Sequence, residues 1–244
     1  MQETKYHSVR DEIRDLVNGL EVGDALPAER VLAVELGVSR MTLRRAIDDL
    51  VREGLVIRRQ GAGTFVAEPK VAQSLAATSF SQDMRDRGLV PGSRTLSIEV
   101  LHAGPQMSRR LAVSPATRIV RIVRLRLADG APMAIETLHV PEQVLGPQQA
   151  TELENGSFYD LLARNGIPID HGTQTIEPTV TDERESEFLE VPLHSPAFLF
   201  ERSSFDAADR AIEFVRSVYR GDRYKLTAQL GRIRAAEPLG QPTP

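Results

Sequence analysis

The chain contains no cysteine. That absence excludes disulfides, zinc–thiolate sites and thiol nucleophiles. Its five histidines, His7, His102, His139, His171 and His194, are scattered without the spacing of a metal site. No metal, no cofactor and no catalytic residue is therefore expected. There is no uninterrupted apolar run of the roughly 18 residues that would suggest a membrane span, and the opening Met-Gln-Glu-Thr-Lys-Tyr-His has no signal-peptide core. A cytoplasmic protein without membrane attachment is the expectation. The chain also lacks an overall excess of positive charge: 30 basic residues face 34 acidic ones, a net charge of −4. Any nucleic-acid partner must then be met by a local basic surface. Two short matches carry no function in such a protein: the sequon Asn155-Gly156-Ser157 and the tripeptide Arg220-Gly221-Asp222. What is present is room for two domains in 244 residues, with 41% hydrophobic content to build their cores.

The most informative stretch runs from Pro27 to Val66. Val31, Leu32, Val34 and Leu36 give a short helix an apolar side, and Gly37-Val38-Ser39 interrupts it. Gly37 tolerates a left-handed helix end, and Ser39 suits the cap of a second helix. Leu43, Ala46, Ile47 and Leu50 follow at helical spacing and face a core. Arg40, Thr42, Arg44 and Arg45 are left on the outer face of its first turns, and Gly54 ends it. Two short strands, Leu55 to Arg58 and Thr64 to Ala67, surround a tip at Gln60-Gly61-Ala62-Gly63. A further helix, Ser8 to Leu20, precedes them with Val9, Ile13, Leu16 and Val17 on its buried side. This order is a winged helix-turn-helix. Such a fold reads bases with the start of its second helix, and arginine is the common bidentate reader of guanine. From Ser39 to Gln60 six arginines stand against three acidic residues. That surplus alone also fits a solvated helix; the ordered set of elements favours DNA.

The motifs Pro27-x-Glu29-Arg30-x-Leu32-Ala33, Ser39-Arg40-x-Thr42-x-Arg44 and Gln60-Gly61-x-Gly63-Thr64-Phe65-Val66 resemble the GntR family of bacterial transcription regulators. The resemblance implies that Arg30, Arg40 and Arg44 contact DNA and that Gly61 lies against the minor groove. Met41 departs from the family, which more often has a small polar residue there.

Residues 68–78 read as a linker and 79–235 as a second domain, with a Pro- and Gly-rich tail at 236–244 expected to be disordered. The second domain alternates in steps of two, so strands are expected at Arg94 to Ala103, Thr117 to Ala128, Pro132 to Val140, Ala197 to Phe205, Ala211 to Arg220 and Tyr224 to Arg232. Asp129-Gly130 and Ala208-Asp209 mark two hairpin turns. Ser157 to Arg164 and Asp182 to Leu189 read as helices. The expected class is α+β: the winged head, then a mixed, mostly antiparallel sheet with helices beside it.

Several polar residues break the alternation. Arg124 and Arg126 share a strand face with Val120 and Ile122, and two arginines so spaced form a fork for phosphate. Ser157 and Tyr159 stand at a helix start, which also favours an anion. Glu136 lies on the paired strand, and Glu213 shares a face with Tyr219. Together they suit a sugar phosphate, with carboxylates accepting from hydroxyls. Arg124 with Glu136 equally fits a cross-strand ion pair, and Ser157 a simple cap.

The segments Lys70 to Leu75, Thr78 to Met84, Arg124-Leu125-Arg126, Pro132 to Glu136 and Ser217 to Tyr224 resemble the UTRA ligand-sensing domain of the HutC branch of GntR regulators, a fold similar to chorismate lyase. Within that branch they are similar to regulators of N-acetylglucosamine utilisation. The resemblance implies an effector that is an amino-sugar 6-phosphate: glucosamine 6-phosphate or N-acetylglucosamine 6-phosphate. It implies that Phe80, Ser81, Arg124, Arg126, Ser157 and Tyr159 hold the phosphate end and that Glu136, Glu213, Tyr219 and Tyr224 surround the sugar. It implies a homodimer that pairs through the sensing domain, and a palindromic double-stranded operator suits such a two-fold reader. The expectation is a DNA-binding repressor of amino-sugar catabolism rather than an enzyme. Another phosphosugar or a carboxylate as effector, and a chorismate lyase-like enzyme, are the alternatives.

Overall fold

The computed structural model describes residues 2–59, 61–74 and 79–227. The expected tail at 236–244, and Gln60 of the wing motif, lie outside the described residues. The N-terminal unit comprises α1 (Gln2–Asn18), α2 (Glu29–Glu35), α3 (Arg40–Arg52), β1 (Val56–Arg59) and β2 (Gly63–Val66). Helix α1 starts earlier than expected. Its Val9, Ile13 and Val17 meet Leu43, Ala46, Ile47 and Leu50 of α3 in one buried cluster. Each of the valine, leucine and isoleucine side chains, once fully buried, contributes roughly 1.5–3 kcal/mol. Ser39 caps α3, its hydroxyl accepting from the Thr42 backbone N–H at 3.1 Å, a contact worth ~1 kcal/mol. At the other end Gly54 takes a φ of +72°, which a side chain would strain. One expectation is corrected here: Val31 and Val34 do not belong to the buried side of α2. They are 44% and 78% exposed, because the seven-residue helix turns Leu32 and Ala33 inward instead.

The second unit follows through β3 (Val71–Ser74), α4 (Phe80–Arg85), β4 (Pro91–His102), α5 (Gly104–Leu111), β5 (Arg118–Ala128), β6 (Ala131–Pro141), α6 (Pro147–Ala150), a 3₁₀ turn at Thr151–Leu153 and α7 (Phe158–Arg164). It continues with β7 (His171–Val180), α8 (Glu183–Leu189), β8 (Pro196–Phe205), β9 (Ala211–Arg220) and β10 (Tyr224–Thr227). Six strands form one open antiparallel sheet in the order β4-β5-β6-β9-β8-β7. The β5–β6 turn is made by Asp129 and Gly130, both at positive φ (48° and 80°), the geometry that matches strand twist. Strand β10 stands outside this sheet and pairs in parallel with β3. The linker therefore does not run free from the wing: part of it is a strand held by the last described one.

Alternation assigns the two sheet faces. Leu125 and Val218 pack on one face with Leu189 of α8, while Ile119 and Phe214 meet Met107 and Leu111 of α5. On the opposite face Val120, Ile122, Leu138 and Val140 pack against Leu161 and Leu162 of α7. Along that same face the apolar pattern gives way to Arg124, Arg126, Glu136, Glu213 and Ser217, all buried or nearly so beneath α4 and α7.

Candidate functional site

Two polar surfaces stand out, and they differ in kind. The first is the reading head. Arg30, Arg40, Arg44 and Arg45 are exposed on α2 and α3. Among the described residues Arg30, Arg40 and Arg44 make no ion pair within the chain, so their charges are available to a partner. Thr42 is half-buried and its hydroxyl shares a hydrogen bond with Ser39 at 2.9 Å. Met41 is 75% exposed beside the arginines, an apolar group suited to a thymine methyl. Arg58 of β1 is tied back to Glu29 at 3.0 Å and to Asp48, which joins the wing to both helices. At the wing tip Gly61 has a φ of +73°, and a Cβ built on it meets nothing within 4 Å. The backbone there is open for close approach to a groove.

The second surface is a cleft between the sheet and the two helices α4 and α7. It is narrow, with a cavity volume of about 30 Å³. Phe80, Ser81, Arg124, Arg126, Glu136, Ser157, Tyr159, Glu213 and Tyr219 all line it. Strand register explains their convergence. Arg124 of β5 stands opposite Glu136 of β6, which stands opposite Ser217 of β9. One row away, Arg126, Ala134 and Tyr219 are aligned in the same manner. Tyr224 is the exception. It does not line the cleft but lies behind Tyr219, 1% exposed, with ring centroids 4.5 Å apart.

The electrostatics of the fork are asymmetric. Arg124 donates from Nε to Glu136 Oε2 at 2.9 Å, and its Nη2 engages the same oxygen. Burial alone would raise the Glu136 carboxyl, but Arg124 and Arg126 outweigh it and hold that group below the usual range. The cross-strand ion pair thus exists. Arg126 has neutral neighbours instead: Ser81 Oγ at 2.8 Å, the Gly156 carbonyl at 3.2 Å and the Phe80 ring, whose centroid is 4.6 Å away. Its Nε is buried without a hydrogen-bond partner. Burial and then Arg124 bring Arg126 down to about 10, so it remains charged at neutral pH. Ser157 does cap α7, accepting from the Asp160 N–H at 3.3 Å, and it also borders the cleft.

At the far side Glu213 is fully buried. Its Oε1 accepts from Tyr159 Oη at 2.5 Å and from Ser204 Oγ at 2.9 Å, while Oε2 is buried with no partner. Burial pushes this carboxyl up, and the bonds from Tyr159 and Ser204 with the charge of Arg202 only partly offset that. Among the lining residues that the sequence reading did not single out are Arg202 of β8 and Gln174 of β7. Arg202 follows Phe198 and Phe200 on the inward face, the same signal that exposed the Arg124–Arg126 fork. It was masked because Glu201-Arg202-Ser203-Ser204 is polar at every position. Strand β7, exposed along most of an edge, shows no alternation to read.

Among the described residues no group of three or more His, Asp or Glu side chains is placed to hold a metal, and no helix is long and apolar enough to cross a membrane. Residues 5–66 match the gntR family of bacterial regulatory proteins, and residues 86–225 match the UTRA domain. The chain is 36% identical over 232 residues to the HTH-type transcriptional repressor NagR of Bacillus subtilis, covering 93% of this chain and 95% of that one. It is 34% identical over 224 residues to the HTH-type transcriptional repressor PhnF of Mycolicibacterium smegmatis, covering 92% and 91%. The crystal structure of PhnF from Mycobacterium smegmatis superposes with a TM-score of 0.66 at 33% identity, covering 91% of this chain and 99% of that one. The chain therefore belongs to the gntR family, HutC branch: it is a DNA-binding transcription regulator with a UTRA effector-binding domain, and not an enzyme.

Proposed function

We propose that the protein is a homodimeric repressor of amino-sugar catabolism that acts in the cytoplasm and releases a palindromic operator when an amino-sugar 6-phosphate fills the cleft. One observation carries the effector reading. Arg126 is a buried cation whose contacts are a hydroxyl, a carbonyl and a ring, with one N–H unsatisfied; among the described residues no carboxylate pairs with it. An unmatched buried charge is costly, and a phosphate entering beside Ser81 would relieve it. The relative NagR, whose name marks it a repressor, agrees with this reading. The exposed arginines of α3 would read one half-site, and a two-fold dimer would present two such heads one helical turn apart.

The linker offers a route for coupling. The cleft is narrow, so an effector must spread α4 and α7 from the sheet, and α4 is the first described element after the linker. Tyr219 of the cleft wall meets Tyr224 of β10 edge to face, and β10 holds β3 of the linker. Lys70 Nζ donates to the Gly221 carbonyl at 2.8 Å, Arg223 pairs with Glu68 at 3.1 Å, and Gly54 at the end of α3 lies against the Asp222 carbonyl. An effector that shifts these contacts changes the placement of the heads, which is a coupling free energy between two sites.

Calorimetry on the full chain tests the effector. N-acetylglucosamine 6-phosphate should bind, and unphosphorylated N-acetylglucosamine should bind at least about a hundredfold more weakly, as loss of charge-assisted bonds to a buried cation requires. Equal affinity for the two would sink the phosphate reading while leaving the DNA-binding assignment intact.

A further inference from the structure

A second cavity lies apart from the cleft, where the linker, the end of α4 and the β5–β6 hairpin meet. Its volume is about 320 Å³, against about 30 Å³ for the cleft, and no residue lines both. Small-molecule sites run from roughly 300 to 1,000 Å³ and favour domain boundaries. The lining is amphipathic. Leu89, Ala128 and Met133 supply apolar surface, and Lys70, Arg87 and Arg223 supply positive charge.

The three cations are not equivalent. Arg87 is committed to Asp83, its Nε donating to the backbone carbonyl at 2.9 Å and its Nη2 pairing with the carboxylate. Arg223 pairs with Glu68, also in the lining, at 3.1 Å. Lys70 makes no ion pair among the described residues. The two acids that act on it are engaged elsewhere: Asp222 with Arg220 at 2.7 Å, and Glu53 with Arg10 at 2.9 Å and Arg14 at 2.6 Å. Burial lowers the pKa of this ammonium, and Asp222 and Glu53 only partly offset that. Its Nζ donates to the Gly221 carbonyl at 2.8 Å. An ammonium carries three donors, so it has more to give. Asp129, the other acid of the lining, is exposed and accepts from the Val90 N–H at 2.8 Å.

We propose that this cavity is a second effector site, which takes a small organic monoanion: a carboxylate held by Lys70, with a hydrocarbon body against Leu89, Ala128 and Met133. The carboxylate would match a cation that the chain leaves unpaired, and the body would gain by leaving water. The position gives such a ligand a way to act. Lys70 belongs to the linker. Arg87 and Leu89 follow α4, whose Phe80 and Ser81 line the cleft at the helix's other end. Ala128 lies two residues beyond Arg126 on β5. A ligand lodged between linker and α4 therefore biases the reading head, which is a coupling free energy between two sites. The inference does not rest on the phosphosugar reading, because the two sites share no lining residue.

Calorimetry on the full chain near neutral pH tests this, with octanoate as the probe and octanol as its uncharged counterpart. Octanoate should bind about tenfold or more tightly than octanol, as a bond to a charged group implies. Lys70→Met keeps the stem and removes the charge, while Leu89→Trp fills the cavity. Each should weaken octanoate binding by about tenfold or more. Thermal unfolding without ligand checks that each variant is folded, and either one suffices. Saturating octanoate should change operator affinity in the parent by about fivefold or more. Octanoate affinity within about threefold of the parent in a folded variant would overturn the site. No binding of octanoate by the parent, or equal binding of octanol, would overturn the anion chemistry. Operator affinity unmoved by octanoate would overturn its role as an effector site. None of these outcomes depends on whether a sugar phosphate binds the cleft.

Discussion

The protein keeps arginines in two environments. Arg40 and Arg44 on α3 stand in water, and among the described residues they have no ion pair within the chain. Arg124 and Arg126 are 1% and 2% exposed; strand register sets Glu136 against Arg124, while α4 and the loop before α7 supply Ser81, Phe80 and the Gly156 carbonyl to Arg126. The surface arginines require nothing of the fold, because water solvates them until DNA phosphates and bases replace it. The buried pair requires a great deal: a carboxylate for Arg124, and hydroxyl, carbonyl and ring neighbours for Arg126. The lesson is that one residue type serves binding at opposite cost. On the head it is free to mutate without unfolding; in the cleft it is structure and receptor together.

The largest effect should come from the cleft. Arg124→Ala leaves Glu136 without its main partner and should destabilise the sensing domain by about 3–5 kcal/mol, read by denaturant or thermal unfolding. Unfolding within about 1 kcal/mol of the parent would erase the distinction between the two sets of arginines. Next, Arg40→Ala and Arg44→Ala should each cost roughly 1–3 kcal/mol of specific operator binding while leaving thermal stability and effector affinity unchanged. Full-strength footprints from both variants would mean that α3 is not the reading element.

A smaller effect separates the two buried carboxylates by pH. Glu136 is held below the usual range, so its contribution to stability is present at neutral pH and is lost as pH falls through that lowered value. Glu213, facing Tyr159, Ser204, Arg202 and Glu136, is pushed the other way. Its contribution is present below the ordinary carboxylate range and is lost as pH rises through the raised value. Glu213→Gln should therefore gain on the parent in melting temperature as pH rises above the ordinary carboxylate range. A constant or reversed difference would show that Glu213 is ionised in the fold. The smallest effect belongs to the exposed pair Arg85–Asp160, 3.3 Å apart across the helices that roof the cleft. Arg85→Ala should change stability by less than about 1 kcal/mol.

Much of this contrast was legible in the sequence because it follows periodicity. The stripe Leu43, Ala46, Ile47 and Leu50 gave α3 its buried side, and the step of two through Val120, Ile122, Arg124 and Arg126 put the fork on one face. Asp129-Gly130 fixed the hairpin that sets Glu136 against Arg124. What stayed hidden was whatever lacks a period. Strand β7 is an exposed edge, so Gln174 had no visible face, and Arg202 sat in a fully polar run. Helices α4 and α5 are too short to show a repeat. The placement of Tyr224 depends on β10 leaving the main sheet to pair with β3, a long-range choice that local pattern does not encode.

That parallel pairing makes the sensing domain a cassette. Val71–Ser74, where the chain enters it, and Tyr224–Thr227, where the described chain leaves it, lie side by side. Everything between them is a loop closed at one seam. A segment whose entry and exit coincide can be excised, permuted or exchanged with little change to what lies outside it. A different sensor carrying the same two strands could be grafted onto this reading head at a single joint. The head would then answer to a new effector through the existing seam.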